Sequence, residues 1–249
     1  MKRVKVSTDS GVVREVTVFN VPERVDIKKA KPPRLRFKDE DERAAFCLDI
    51  ARRRHVQTVN ANFGPSSYYS TLTFNNEYEV HTFPEARRVR DNFIRCLKYR
   101  CPDAKIIIYM GRGKSTHRIH FHMISEGVPE EMIRKLWRYG EIKQAGRLRE
   151  HNYYNGVDHG QDYTGLANYL FNHWTPEQGG RRHYKQTANL KKPEKGKPVE
   201  VKREYSSVRP PRAPKGYILV EAKKTKYGYC YFKYVRKPGP NRRGRRVTD

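Results

Sequence analysis

The stretch HRIHFHMIS, residues 117–125, decides how the rest of the chain is interpreted. Apolar and polar residues alternate in it, as in a β-strand with one face in the core. The isoleucine, phenylalanine and methionine side chains would anchor one face, and His120 and His122 would project together from the other. Two imidazoles held side by side on a rigid strand are the beginning of a divalent-metal site.

The flanking sequence predicts further strands and helices. Strands are indicated over 67–76 (SYYSTLTFNN) and 105–114 (KIIIYMGRGK), and helices over 39–60, 84–101 and 129–140. In the first helix, Ala45, Leu48 and Ala51 or His55 would form the apolar face. Because the elements follow no regular βαβ order, we predict an α+β fold with a central, mainly antiparallel sheet and flanking helices.

Another helix is predicted within DYTGLANYLFNHW, residues 162–174, and it contains Tyr169. Asn172 and His173 follow at i+3 and i+4 and therefore share the face of Tyr169. Tyr163 is six residues earlier, which turns it about 240° away from Tyr169 on a helix of 3.6 residues per turn. The two tyrosines are thus not expected to act as a pair.

Three motifs in this order resemble those of the HUH-type rolling-circle replication initiators: a strand reading TLTF, a His-hydrophobe-His strand, and a tyrosine in a helix. Within that superfamily, the chain resembles the group related to the filamentous-phage gene II protein. In that group the tyrosine helix precedes a string similar to NLKKP, here residues 189–193. The resemblance covers about residues 43–235.

The resemblance implies a fold with the HUH strand in the middle of the central sheet. It also implies that His120 and His122 bind Mg²⁺ or Mn²⁺ and that Tyr169 is the nucleophile, with Tyr163 as the alternative. The family usually has Lys three residues after the nucleophile, where this chain has Asn172; Asn172 or His173 could instead orient phosphate or water.

A third metal ligand is not evident where the family commonly keeps one. The candidates elsewhere in the chain are His117, Glu77 and Glu126.

The implied activity is nicking and rejoining of single-stranded DNA at a plasmid or phage-like origin. A tyrosine hydroxyl, with a reference pKa of about 10, is a weak nucleophile at neutral pH, so a divalent metal would have to polarise the scissile phosphate. The products would be a 5′-phosphotyrosine and a free 3′-hydroxyl that primes synthesis by a host polymerase, with a host helicase separating the strands. An HUH transposase and a non-catalytic binder of single-stranded nucleic acid remain alternatives; the motif order disfavours a relaxase.

The charge of the chain points independently to nucleic acid. The 53 Lys and Arg residues exceed the 27 Asp and Glu residues, giving a formal net charge of +26, which favours polyanion binding. The basic residues near the motifs that could reach phosphates are Lys114, Arg118, Arg181, Arg182, Lys191 and Lys192. No apolar run approaches the roughly 20 residues that a membrane span needs, and the four scattered cysteines suit a cytoplasmic protein.

Three parts are expected along the chain. Residues 1–40 would form a peripheral extension, 41–235 the HUH endonuclease-like catalytic domain, and 236–249 a basic, disordered tail. Near the end of the catalytic domain, the alternation in KYGYCYFKYV places Tyr227, Tyr229 and Tyr231 on one strand face. Those rings could form a platform for bases or could pack on the core.

Overall fold

Helices and strands follow one another without a repeating pattern. The structure, a computed structural model, describes residues 1–32, 36–178, 183–226 and 228–239. The α-helices in these ranges are α1 (Glu40–Asn62), α2 (Phe83–Arg100), α3 (Glu130–Leu136) and α4 (Thr164–Phe171). The strands are β1 (Lys2–Ser10), β2 (Val13–Val21), β3 (Tyr68–Thr73), β4 (Lys105–Arg112), β5 (Ile119–Glu126), β6 (Ile142–Arg147), β7 (Tyr153–Tyr154), β8 (Val157–Asp158), β9 (Lys185–Gln186), β10 (Glu194–Lys195), β11 (Val199–Glu200), β12 (Tyr217–Lys224) and β13 (Cys230–Arg236).

The strand pairs formed by the described residues are antiparallel. The predicted α+β class, with antiparallel strands and flanking helices, is confirmed. The described residues divide into two units; each unit has one large sheet, and β7 and β8 form a separate two-stranded sheet in the first unit. The first unit contains the described parts of Met1–Ala61 and Lys192–Asp249 together with His151–Asp162; the second contains Asn62–Glu150 and the described part of Tyr163–Lys191.

The second unit has a five-stranded sheet of order β6-β3-β5-β4-β9. Its middle strand is β5, which carries His120 and His122. In the register of the sheet, Thr71 of β3 is directly opposite His122, and Gly111 of β4 is directly opposite His120. Since directly paired residues share a face, both neighbouring strands contribute to the surface around the imidazoles.

The opposite face of β5 belongs to the hydrophobic core that includes residues of α2 and α3. Phe121 is fully buried there, with its ring centroid 5.5 Å from Phe74 and 5.8 Å from Trp137. The ring centroid of Phe93 in α2 lies 5.2 Å from that of Trp137. These aromatic contacts hold the core-facing side of β5 in place, so the side chains of His120 and His122 project from the opposite face.

The first unit has a six-stranded sheet with the path β10-β1-β2-β13-β12, and β11 also pairs with β1. The predicted peripheral extension, residues 1–40, supplies β1 and β2 of this sheet. The two strands meet at Gly11, whose φ of +62° favours glycine, and they bury Val4 and Val18. β2 pairs with β13, over 200 residues later, so this N-terminal segment belongs to a sheet core rather than to an arm.

Two further sequence predictions hold only in part. In α1 the predicted apolar face is right only for His55, which is fully buried; Ala45, Leu48 and Ala51 are exposed, and the buried side chains cluster in the second half of the helix. In the tyrosine-rich segment, Tyr229 precedes β13 and Tyr231 is buried in it. Tyr227 and residues 240–249 of the basic tail lie outside the described residues.

No helix within the described ranges combines the length and the apolar character that crossing a bilayer requires.

Candidate metal centre and its neighbouring tyrosine

Three histidines of the second unit converge on one point. His120 and His122 come from β5, and His173 follows two residues after the end of α4. One ring nitrogen from each lies within 4.8 Å of the others, and the Nε2 atoms of His120 and His122 are 3.2 Å apart. Such a group of nitrogens could hold a metal ion, as the His-x-His spacing predicts for the first two.

The Nδ1 atom of each imidazole has a partner on the other side of the ring. His120 Nδ1 lies 3.4 Å from the carbonyl oxygen of Arg118, and His173 Nδ1 lies 2.9 Å from that of Tyr169. His122 Nδ1 lies 2.7 Å from Tyr69 Oη. A carbonyl oxygen can only accept, so the Nδ1 atoms of His120 and His173 carry the proton and their Nε2 lone pairs are left for a ligand.

Burial keeps two of the imidazoles neutral. Desolvation lowers the pKa of His120, and the neighbouring His173 lowers it further. Desolvation, His173 and His120 together lower the pKa of His122 to about 3. A metal binds the neutral form of imidazole. At neutral pH, His120 and His122 therefore need not lose a proton before they bind a metal.

Gly111 makes room for the imidazole rings because it has no side chain. A Cβ atom at this position would lie 2.7 Å from His120 Nε2 and 3.0 Å from His173 Cδ2. The φ of Gly111 is not in the left-handed region, so the role of this glycine is the absence of a side chain. It allows rings from a strand and from a helix terminus to meet above the sheet.

Tyr169 borders the three histidines and faces solvent. Its side chain is 56% exposed, and its ring centroid lies 4.5 Å from that of His173 and 6.1 Å from that of His122. Tyr163, the alternative nucleophile, is buried, and its hydroxyl donates to the Arg149 carbonyl at 2.9 Å. Burial also raises the pKa of Tyr163, so Tyr169 is the accessible hydroxyl of the two.

The other residues suggested for the chemistry lie outside the three-histidine group. Asn172 is the exposed C-terminal cap of α4. His117 is exposed in the turn between β4 and β5, where it has a φ of +55°. Glu126 accepts hydrogen bonds from Ser66 and Ser67, and Glu77 lines a cleft of about 590 Å³ beside His120.

His173, rather than His117, Glu77 or Glu126, completes the group of three side chains that could hold a metal ion. The helical spacing correctly placed His173 beside Tyr169, although α4 ends at Phe171 and His173 lies beyond it. The sequence did not show that the His173 ring would reach His120 and His122, because that contact depends on how α4 packs on the sheet.

The predicted phosphate contacts have different surroundings. Lys114 is exposed in the turn between β4 and β5, whereas Arg118 is engaged: its guanidinium donates to Phe74 O at 3.2 Å and pairs with Glu79 at 3.1 Å. Lys191 and Lys192 are both exposed. Arg181 and Arg182 lie outside the described residues.

Sequence reasoning missed two supports of the site. Tyr69 of β3 contacts His122, and the buried Gln178 donates from Nε2 to Met110 O at 3.0 Å and to His173 O at 2.8 Å. Gln178 thereby links β4 to the segment that carries His173. Tyr69 could have been found from strand register, since it is on the Thr71 side of β3; nothing local marks Gln178.

Comparisons with protein-family models, with curated proteins and with solved structures give no match to this chain. The functional assignment therefore depends on the chemistry of the centre itself. Three imidazole nitrogens that could hold a metal ion and an exposed phenol meet at one surface.

Proposed function

We propose that the protein nicks and rejoins single-stranded DNA as an HUH-type replication initiator, through a metal at the three histidines and a covalent bond to Tyr169. The observation that carries this proposal is the position of the exposed Tyr169 ring, 4.5 Å from the His173 ring, at the edge of the metal-binding group. The formal charge of +26 supports a polyanionic substrate.

In the proposed reaction, Tyr169 Oη attacks the scissile phosphorus and the bond from phosphorus to the 3′ oxygen breaks. The phenolic proton is lost to solvent and the leaving 3′ oxygen takes up a proton. A 5′-phosphotyrosine and a free 3′-hydroxyl result, and attack by a 3′-hydroxyl reverses the step and restores the phosphodiester. Rolling-circle replication would use that hydroxyl as a primer for a polymerase.

His120, His122 and His173 would hold the metal. When bound, it supplies Lewis-acid stabilisation of charge on the phosphate oxygens. Nitrogen donors suit transition metals, whereas Mg²⁺ prefers oxygen ligands and water. Of the two ions expected from the sequence, we therefore propose Mn²⁺ as the better fit.

The test is a cleavage assay with Mn²⁺ and a set of single-stranded oligonucleotides that includes hairpin-flanked sequences. The wild-type protein should give a DNA adduct that survives denaturing electrophoresis. Tyr169→Phe should abolish the adduct and leave DNA binding unchanged, and Tyr163→Phe should keep it. The double variant His120→Ala/His122→Ala should lower the nicking rate by at least about 100-fold.

Each alternative has its own signature in that experiment. A metal-dependent cut without an adduct would refute the tyrosine mechanism. Binding of single strands with no cleavage under any metal would favour the non-catalytic binder. Strong preference for hairpin ends over an origin would favour a transposase.

A further inference from the structure

The first unit contains a groove that the proposed nicking function does not use. It has a volume of about 580 Å³ and is lined by residues of β1, β2, α1 and the segment around β10. Val6, Phe19 and Ile50 contribute apolar surface to it, and Phe46 and Tyr229 contribute aromatic rings. Its size falls within the range of ligand-binding clefts. We refer to it as the basic groove.

The charged residues that line the basic groove are all cationic. Among the described residues, Arg53, Arg54, Lys192 and Lys195 line it, and no carboxylate does. Arg53 is compensated, because it pairs with the buried Glu15 at 3.3 Å and lies over the Tyr231 ring. Arg54, Lys192 and Lys195 are exposed, and the described residues give them no ion pair.

The combination of charge and apolar surface selects one class of partner. A phosphate or an acidic peptide would be attracted by the cations but would gain little from Phe46, Tyr229 and the aliphatic floor. A single-stranded nucleic acid has both a phosphate backbone for the cations and flat bases for the rings. Lys192, expected from the sequence to reach a phosphate, lies on this groove.

We infer that the basic groove is a second, metal-independent binding site for single-stranded DNA. It goes beyond the proposed function, because it assigns to the first unit a DNA contact separate from the three histidines. Phosphates would be bound by Arg54, Lys192 and Lys195, and bases would contact Phe46 and Tyr229.

The test measures the affinity of full-length protein for a labelled oligothymidylate of about 15 nucleotides. The buffer contains EDTA, so the result is independent of nicking. Arg54→Ala/Lys195→Ala should weaken binding about tenfold and reduce the slope of log affinity against log salt by about 1.4, or 0.7 for each lost contact. The control Lys215→Ala/Lys224→Ala removes the same charge from exposed positions outside the groove and should change affinity less than about twofold.

A second variant distinguishes the contribution of base contacts to affinity from that of phosphate contacts. Phe46→Leu keeps apolar volume but removes the ring, so it should lower affinity for the oligothymidylate several-fold and leave affinity for inorganic polyphosphate unchanged. Tyr153→Leu, at an exposed ring of the same unit, is the matched control. Melting temperatures confirm that each variant folds.

Equal losses in the two charge variants would overturn the inference, because binding would then follow net charge alone. Equal losses of polyphosphate and oligothymidylate in Phe46→Leu would also overturn it. If the basic groove does not bind DNA, the nicking proposal still stands. If the protein does not nick DNA, the inference about the basic groove still stands.

Discussion

Replacing Gly111 by alanine tests whether the three histidines form a metal centre. The added Cβ would lie 2.7 Å from His120 Nε2, about 0.7 Å short of the 3.4 Å at which ordinary van der Waals contact begins. It would also lie 3.0 Å from His173 Cδ2. Both rings must therefore move away, and metal–ligand distances tolerate only about 0.2 Å.

We expect Gly111→Ala to weaken Mn²⁺ binding by about 10–100-fold in titration calorimetry, the range found when the support of a ligand is removed. The fold should survive, because the obstructed atoms are side-chain atoms and alanine loses less backbone entropy than glycine in a strand. The melting temperature of the metal-free protein should accordingly stay close to that of the wild type.

Gly146→Ala is the matched control, since a Cβ on this β6 glycine of the same sheet meets nothing within 4 Å. It should bind Mn²⁺ like the wild type. If Gly111→Ala also binds Mn²⁺ with unchanged affinity, the nitrogens of His120 and His173 do not share a metal and the reasoning fails.

Three other predictions concern single contacts. His173→Ala should reduce the Mn²⁺-induced rise in melting temperature. At a metal concentration of 100 times Kd, binding to an intact site stabilises the fold by about 2.7 kcal/mol. An unchanged rise would exclude His173 as a ligand. Tyr69→Phe should lower Mn²⁺ affinity by about tenfold by removing the phenol oxygen 2.7 Å from His122 Nδ1, while metal-free stability changes little. Lys233→Ala should lower the free energy of unfolding in urea by about 3–5 kcal/mol, because it removes the ammonium 2.6 Å from the fully buried Asp162 carboxylate, which His159 Nδ1 approaches only to 3.5 Å; a cost below about 1 kcal/mol would contradict this.

The sequence predicted what depends on local periodicity. Alternation in residues 117–125 placed His120 and His122 on one face, and helical spacing placed His173 beside Tyr169. The apolar runs and caps also located α2, β4 and β5 within a few residues. These features are local because strand and helix periods are set by the backbone.

What the sequence could not supply depends on pairing between distant segments. The role of Gly111 follows from its register opposite His120, and the N-terminal hairpin becomes part of a sheet only through pairing with β13. The error in α1 has a related cause: Ala45, Leu48 and Ala51 fit a helical stripe with His55, but only His55 is buried in the described structure. Periodicity shows which residues share a face, whereas burial depends on what packs there.

The most direct test of the central proposal is to find the atom that carries the DNA. The wild-type protein is incubated with Mn²⁺ and a cleavable single strand, digested with protease and nuclease, and analysed by tandem mass spectrometry. We expect one modified peptide, with a 5′-linked nucleotide on Tyr169. A nucleotide on Tyr163 or Tyr69, or cleavage without a modified tyrosine, would contradict the proposed mechanism.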